Sequence, residues 1–180
     1  MTRLTRIRLA LALVMFGLFV SGVTAFPLLY ELILVSDWLT GGSGRLDPAA
    51  YSGLTAWVLT VRAGLEATYR DYHFLAYGTD WLAFGHLMIM LYFVLPYRDP
   101  RRYIGVMEVG VWSSALVFPL AFICGEIRGI PMFWRLVDCA FGVACMPLLV
   151  YAIVQTRRLR GEEEAVQVRD KAMHAPGQAA

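Results

Sequence analysis

The chain has 180 residues, 58% of them hydrophobic and only 17% charged, with a mean hydropathy of +0.57. Soluble domains carry about 25% charged residues, so the balance excludes an ordinary soluble domain and points to a membrane. A net charge of +2, with the basic residues in small dispersed groups, argues against a nucleic-acid partner; three cysteines (Cys124, Cys139, Cys145) without CxxC spacing predict neither a disulfide framework nor redox chemistry.

Four apolar runs follow in chain order, at about 9–35, 81–97, 103–124 and 132–155. Each reaches the roughly 17 to 20 residues that a spanning helix needs, the second only just. The first run holds one charge, Glu31, and its charged start with a small-residue end also has the shape of a secretory signal. Apolar sequence continues through Val35, which predicts an uncleaved first span.

The loop 36–80 contains a flexible break, "TGGSG", and then Asp47-Pro48, an N-cap followed by proline at the first helical position. Tyr51, Leu54, Val58, Val61 and Leu65 recur at helical spacing. This predicts an amphipathic helix from 48 to about 70 that lies on or caps the outer face, or docks onto a partner protein. Beyond the fourth run, the tail 161–180 is polar and is expected to lose order after its first turn.

Arginines set the orientation. Arg3, Arg6 and Arg8 precede the first run; Arg98, Arg101 and Arg102 separate the second from the third; Arg157, Arg158 and Arg160 follow the fourth. With four alternating helices these fall on one side, so both termini are predicted to be cytoplasmic in a bacterial inner membrane. The predicted fold is therefore all-α: a polytopic four-helix membrane domain over 1–160 with an outer amphipathic helix, followed by a cytoplasmic tail.

Ionisable residues inside spans are rare and are functional candidates by default. At 1.5 Å per residue, His86 lies about 9 Å past Asp80 along the second span, and Asp138 about 10 Å into the fourth. Asp80 and Arg135 lie just above that level, and Glu31, Glu126 and Arg128 approach the same outer surface. The pattern outlines a polar pocket open to the periplasm. His86, Asp138 and Asp80 are the catalytic candidates; Arg135, Arg128, Glu126, Glu31, Trp81 and Trp134 are the ligand-binding ones. Each also has a structural reading: Arg135 and Asp138 can pair within one helix, Asp80 can be an N-cap, and His86 a satisfied interior histidine. Glu108 is separate, within reach of Tyr92 or Tyr151, and Pro27, Pro119 and Pro147 are expected to kink or loosen their spans. No HxxxH or HExxH occurs, so neither a metal nor a cofactor is predicted.

With "YGTDWLAFGH", "RDPRRYIGVMEVG" and "GEIRGIPMFWRLVDCAFG", residues 77–142 resemble a family of bacterial integral membrane proteins of uncharacterised role. That resemblance implies a membrane fold and no particular chemistry. In topology alone the chain is similar to small membrane proteins of the sterol-isomerase and sigma-2-receptor type, which implies a lipid-like ligand. The leading expectation is a membrane protein whose intramembrane pocket binds a small or lipid-like molecule, with proton transfer as its catalytic form. The alternative is an accessory or assembly subunit of a larger membrane complex, whose charges lock helices together and whose partner is another protein or a second copy.

Overall fold

Pro27 divides the first apolar run. Its ring removes a backbone donor and opposes a continuous helix, and a computed structural model of the chain, which describes residues 1–174, has helix α1 at Arg3–Ala25 and a separate α2 at Leu28–Leu39. The expected single span 9–35 is thus two helices, and the 12 residues of α2 are too few to cross a bilayer. Glu31 consequently sits in the first turn of α2. Pro119 and Pro147, by contrast, lie inside unbroken helices: α6 (Ile104–Ile127) and α7 (Met132–His174).

Between α2 and α6 come α3 (Gly53–Asp71), α4 (Tyr77–Tyr92) and the short α5 (Val94–Arg98). No strand occurs among the described residues. Four helical segments are long and apolar enough to cross a membrane: Arg3–Ala25, His73–Arg98, Ile104–Ile127 and Met132–Lys171. The second starts earlier than hydropathy suggested, because His73–Ala76 already forms a 3₁₀ turn leading into α4. Asp80 is therefore inside the first turn of α4, where a carboxylate favours the helix dipole, and is not its N-cap. The expected disorder after Gly161 is also absent as far as His174: α7 continues, with Glu162 and Glu163 paired to Arg3 and Arg101. Residues 175–180 of the predicted tail lie outside the described residues.

The chain divides into two compact units, Met1–Met15 with Leu91 onward, and Phe16–Met90. In the first, α6 and α7 form the most extensive helix pair. They run antiparallel: Gly125 meets Arg135, Ser114 meets Gly142, Gly110 meets Leu149, and Glu108 pairs with Arg157 at 2.8 Å. Glu108 thus has an arginine partner, where a tyrosine was expected. Glycines allow the close approach. A Cβ on Gly142 would lie 2.8 Å from the Ser114 carbonyl oxygen, and one on Gly110 2.7 Å from Phe93. The buried hydroxyls return their protons to their own helices, Ser114 to the Gly110 carbonyl at 2.9 Å and Thr156 to that of Ala152 at 2.8 Å.

In the second unit α3 packs on α2. The link between them uses Gly41, Gly42 and Gly44, all at positive φ, which glycine alone adopts without steric cost. Asp47 accepts a hydrogen bond from the Ala49 N–H as a cap should, but what it caps is a single 3₁₀ turn, Pro48–Ala50; the α-helix begins at Gly53. Val58 and Leu59 are buried, whereas Leu54 stays exposed. Elsewhere in this unit Gly22 of α1 approaches α4 closely, and a Cβ there would lie 2.9 Å from Leu87 and 3.0 Å from the Ala83 carbonyl oxygen.

These contacts separate two glycines of α7. Gly142→Ala is expected to force α6 and α7 apart and cost about 1–3 kcal/mol, the usual penalty of overpacking. Gly161→Ala, with nothing within 4 Å of its added Cβ, should be neutral or raise stability by up to about 1 kcal/mol through helix propensity. Thermal unfolding of the two variants in detergent measures the contrast.

Candidate functional site

The predicted site draws on both units, and each unit's share is described by itself. In the first unit the turn between α6 and α7 is set by Gly129, at φ +66°. Its N–H bonds the Glu126 carbonyl at 3.1 Å, and the Ile130 N–H bonds that of Gly125 at 2.9 Å, which satisfies the last carbonyls of α6. Arg135, one turn into α7, folds back over this turn. Its Nε donates to the Ile130 carbonyl at 2.7 Å and its Nη1 to Glu126 Oε2 at 2.5 Å. The side chain is 8% exposed and lies against Gly125, where a Cβ would come within 2.9 Å of Arg135 Cδ.

Arg135 therefore does not pair with Asp138, although they stand three residues apart on one helix. Its two hydrogen bonds hold the α6–α7 turn, and the sequence signal for them is weak because Glu126 precedes the helix that carries Arg135. Asp138 has no hydrogen bond or ion pair among the described residues. It falls at the spacing of the α7 seam without facing inward, the buried residue at its level being the neighbouring Cys139. Arg135, Asp138, Gly142, Cys145, Leu149, Ala152 and Thr156 alternate spacings of three and four, the pattern of a packed helix seam. Every member is buried except Asp138, which is exposed. Arg128, at the C-cap of α6, is exposed and makes no side-chain bond among the described residues, and Trp134, one turn before Asp138, is half-buried.

In the second unit Asp80 and His86 flank buried Ala83 on α4, three residues to either side, and both are half-buried. His86 Nδ1 lies 2.8 Å from the Leu82 carbonyl oxygen. A carbonyl only accepts, so Nδ1 carries the proton in the neutral ring and Nε2 is left with its lone pair. No described residue engages that nitrogen. Trp81 is exposed and stands edge-on between Tyr77 and Phe84, with centroid separations of 6.0 and 5.9 Å. Glu31 is half-buried on α2, and no hydrogen bond links it, Asp80, Trp81 and His86 to one another.

A second polar cluster in this unit had only a faint sequence signal, the i,i+4 pair Arg62–Glu66. Arg62, 12% exposed, donates Nη1 to buried Ser36 at 2.6 Å and to Asp37 at 3.1 Å, and Nε to Glu66 at 2.8 Å. The Glu66 hydrogen bond, with Asp37 adding to it, holds this guanidinium above its ordinary pKa against the effect of burial. The cluster fastens α3 to α2. No group of three or more His, Cys, Asp or Glu side chains placed to hold a metal exists among the described residues.

Arg135 and Glu126 should respond unequally to mutation. Arg135→Gln strips donors from a carbonyl and a carboxylate and is expected to cost about 1–3 kcal/mol. Glu126→Gln, whose side chain is 73% exposed, should cost no more than about 1 kcal/mol. Chemical denaturation in micelles compares them. No protein-family model, no curated protein and no solved structure matches this chain.

Proposed function

We propose that this chain is a multi-pass protein of a bacterial inner membrane that binds a small or lipid-like molecule at Asp138, with both termini in the cytoplasm. The observation that carries the reading is the exposure of Asp138 in a seam whose other members are buried. A carboxylate in a spanning helix is costly unless something meets it, and no described residue does. A ligand hydroxyl or ammonium group against Asp138, with its apolar body on Trp134, satisfies that requirement. Arg135 is already engaged, so Arg128 is the guanidinium left for an anionic headgroup.

The orientation rests on the positive-inside rule. It gains support from the meeting of the three arginine groups within one unit, where Arg3 bonds Gln155 and Glu162 of α7 and Arg101 bonds Glu163. If the protein is catalytic, His86 is the proton-exchanging residue, because its Nε2 is an uncommitted base. One feature favours the accessory-subunit reading: Tyr30, Leu34 and Trp38 form an exposed apolar stripe on α2, a helix too short to cross. A partner's helix fits that stripe.

Mass spectrometry of the protein extracted in mild detergent separates the readings. Wild type is expected to carry a stoichiometric small molecule or lipid that Asp138→Asn loses while its unfolding midpoint is kept. An identical set of bound molecules in both, together with a protein partner lost on Trp38→Ala, would overturn the ligand reading in favour of the subunit.

A further inference from the structure

In the first unit the start of α1, the α5–α6 turn and the region of α7 near residue 160 gather more positive charge than their carboxylates neutralise. Arg3 pairs with Glu162 at 2.5 Å, Arg157 with Glu108 at 2.8 Å, and Arg101 with Glu163. Arg6, Arg98, Arg102, Arg158 and Arg160 have no carboxylate partner among the described residues. Arg160 of α7 and Arg101 of the α5–α6 turn meet through one hydrogen bond. Arg160 donates Nη2 to the backbone carbonyl of Arg101, while the Arg101 guanidinium reaches Glu163, three residues further along the same helix. Glu163 is the one carboxylate that either guanidinium bonds among the described residues.

Arg101 also has a defect. Its side chain is 40% exposed, yet its Nε is buried without an acceptor among the described residues. An orphaned buried donor is costly and calls for an explanation. A planar guanidinium offers Nε and a terminal nitrogen as a fork that matches two oxygens of a phosphate. The single contact to Glu163 leaves that fork half used.

We propose that Arg101 and Arg160 form a binding site for the phosphate of an anionic membrane lipid. The position on the chain selects a lipid headgroup over a free anion. These arginines follow directly on the apolar segments of α5 and α7, and neighbouring guanidiniums lie over tyrosine rings, Arg8 at 5.9 Å from the Tyr97 centroid and Arg102 at 5.5 Å from that of Tyr103. Aromatic residues beside basic ones are the composition of the headgroup layer. The site is independent of the ligand proposed at Asp138, from which Arg160 is separated by about 33 Å along α7 at 1.5 Å per residue.

The test uses the full chain in a neutral detergent, titrated with phosphatidylglycerol, phosphatidylcholine or inorganic phosphate while the unfolding midpoint and bound lipid are followed. Phosphatidylglycerol is expected to raise the midpoint and saturate, phosphatidylcholine to leave it unchanged, and inorganic phosphate at matched concentration to do little. Arg160→Gln, at an exposed position, should weaken phosphatidylglycerol binding roughly tenfold, and Arg169→Gln should not. Arg101→Lys keeps the charge and loses the fork, and should weaken binding as well. Equal shifts in wild type and Arg160→Gln, or equal losses in Arg160→Gln and Arg169→Gln, would overturn the site. Saturation by inorganic phosphate that blocks the lipid would overturn the headgroup assignment.

Discussion

The fold of the first unit turns on the back-folded guanidinium of Arg135. A tight turn between two long apolar helices leaves carbonyls with no helical partner, and in a low-dielectric environment each of these is expensive. Gly129 supplies the left-handed residue that returns two N–H groups to α6, and Arg135 supplies the donor for the Ile130 carbonyl. Gly125 supplies the space: any larger residue there would collide with the arginine stem. With this corner closed, the register of α6 against α7 follows from three further close contacts down to Glu108 and Arg157.

The opposite end of the same helix pair is governed by charge in excess. The acidic run after Gly161 reads in sequence as a solvated tail, but two of its glutamates are salt-bridge partners for arginines from other parts of the chain. Exposed pairs of this kind contribute at most about 1 kcal/mol each. They do not create the helix; they bias an already helical segment to continue past the apolar stretch. The surplus of arginine that remains is what makes the α5–α6 turn receptive to a further anion.

The sequence made the apolar segments of the fold legible, because hydropathy integrates over a whole span. It marked Pro27 as a kink but not as a division into two helices, since a window averaging 20 residues is blind to one missing N–H group. The early start of the second segment was hidden for the same reason, by the polar residues His73 and Thr79. The candidate site was legible as a set of residue types and illegible as a set of partners. Helical spacing suggested Arg135 with Asp138, yet the real partner of Arg135 is Glu126, across a turn whose geometry depends on Gly129. Likewise Ser36 and Arg62 are 26 positions apart, and nothing in either local pattern announces the bond. The His86 contact to Leu82 is, like Arg62 with Glu66, a pairing at the spacing that helical periodicity supplies.

The different fates of Arg135 and Asp138 follow from the lengths of their side chains. Arginine has a three-carbon stem and can carry its charge about a turn back along the helix, to an acceptor at the rim. Aspartate has one methylene and cannot leave the level at which its Cα is placed, about 9 Å beyond the start of α7 at 1.5 Å per residue. Placing glutamine or arginine at 138 would give the chain a means of satisfying itself; aspartate removes that option. Burial within the seam would have been the other solution, with a hydroxyl from α6 brought opposite, but Ser114, the buried hydroxyl of that helix, is already bonded to Gly110 and is met by Gly142. Neither helix of this pair therefore supplies Asp138 with a hydrogen-bond partner, and its short side chain keeps the carboxylate at the level where the backbone places it.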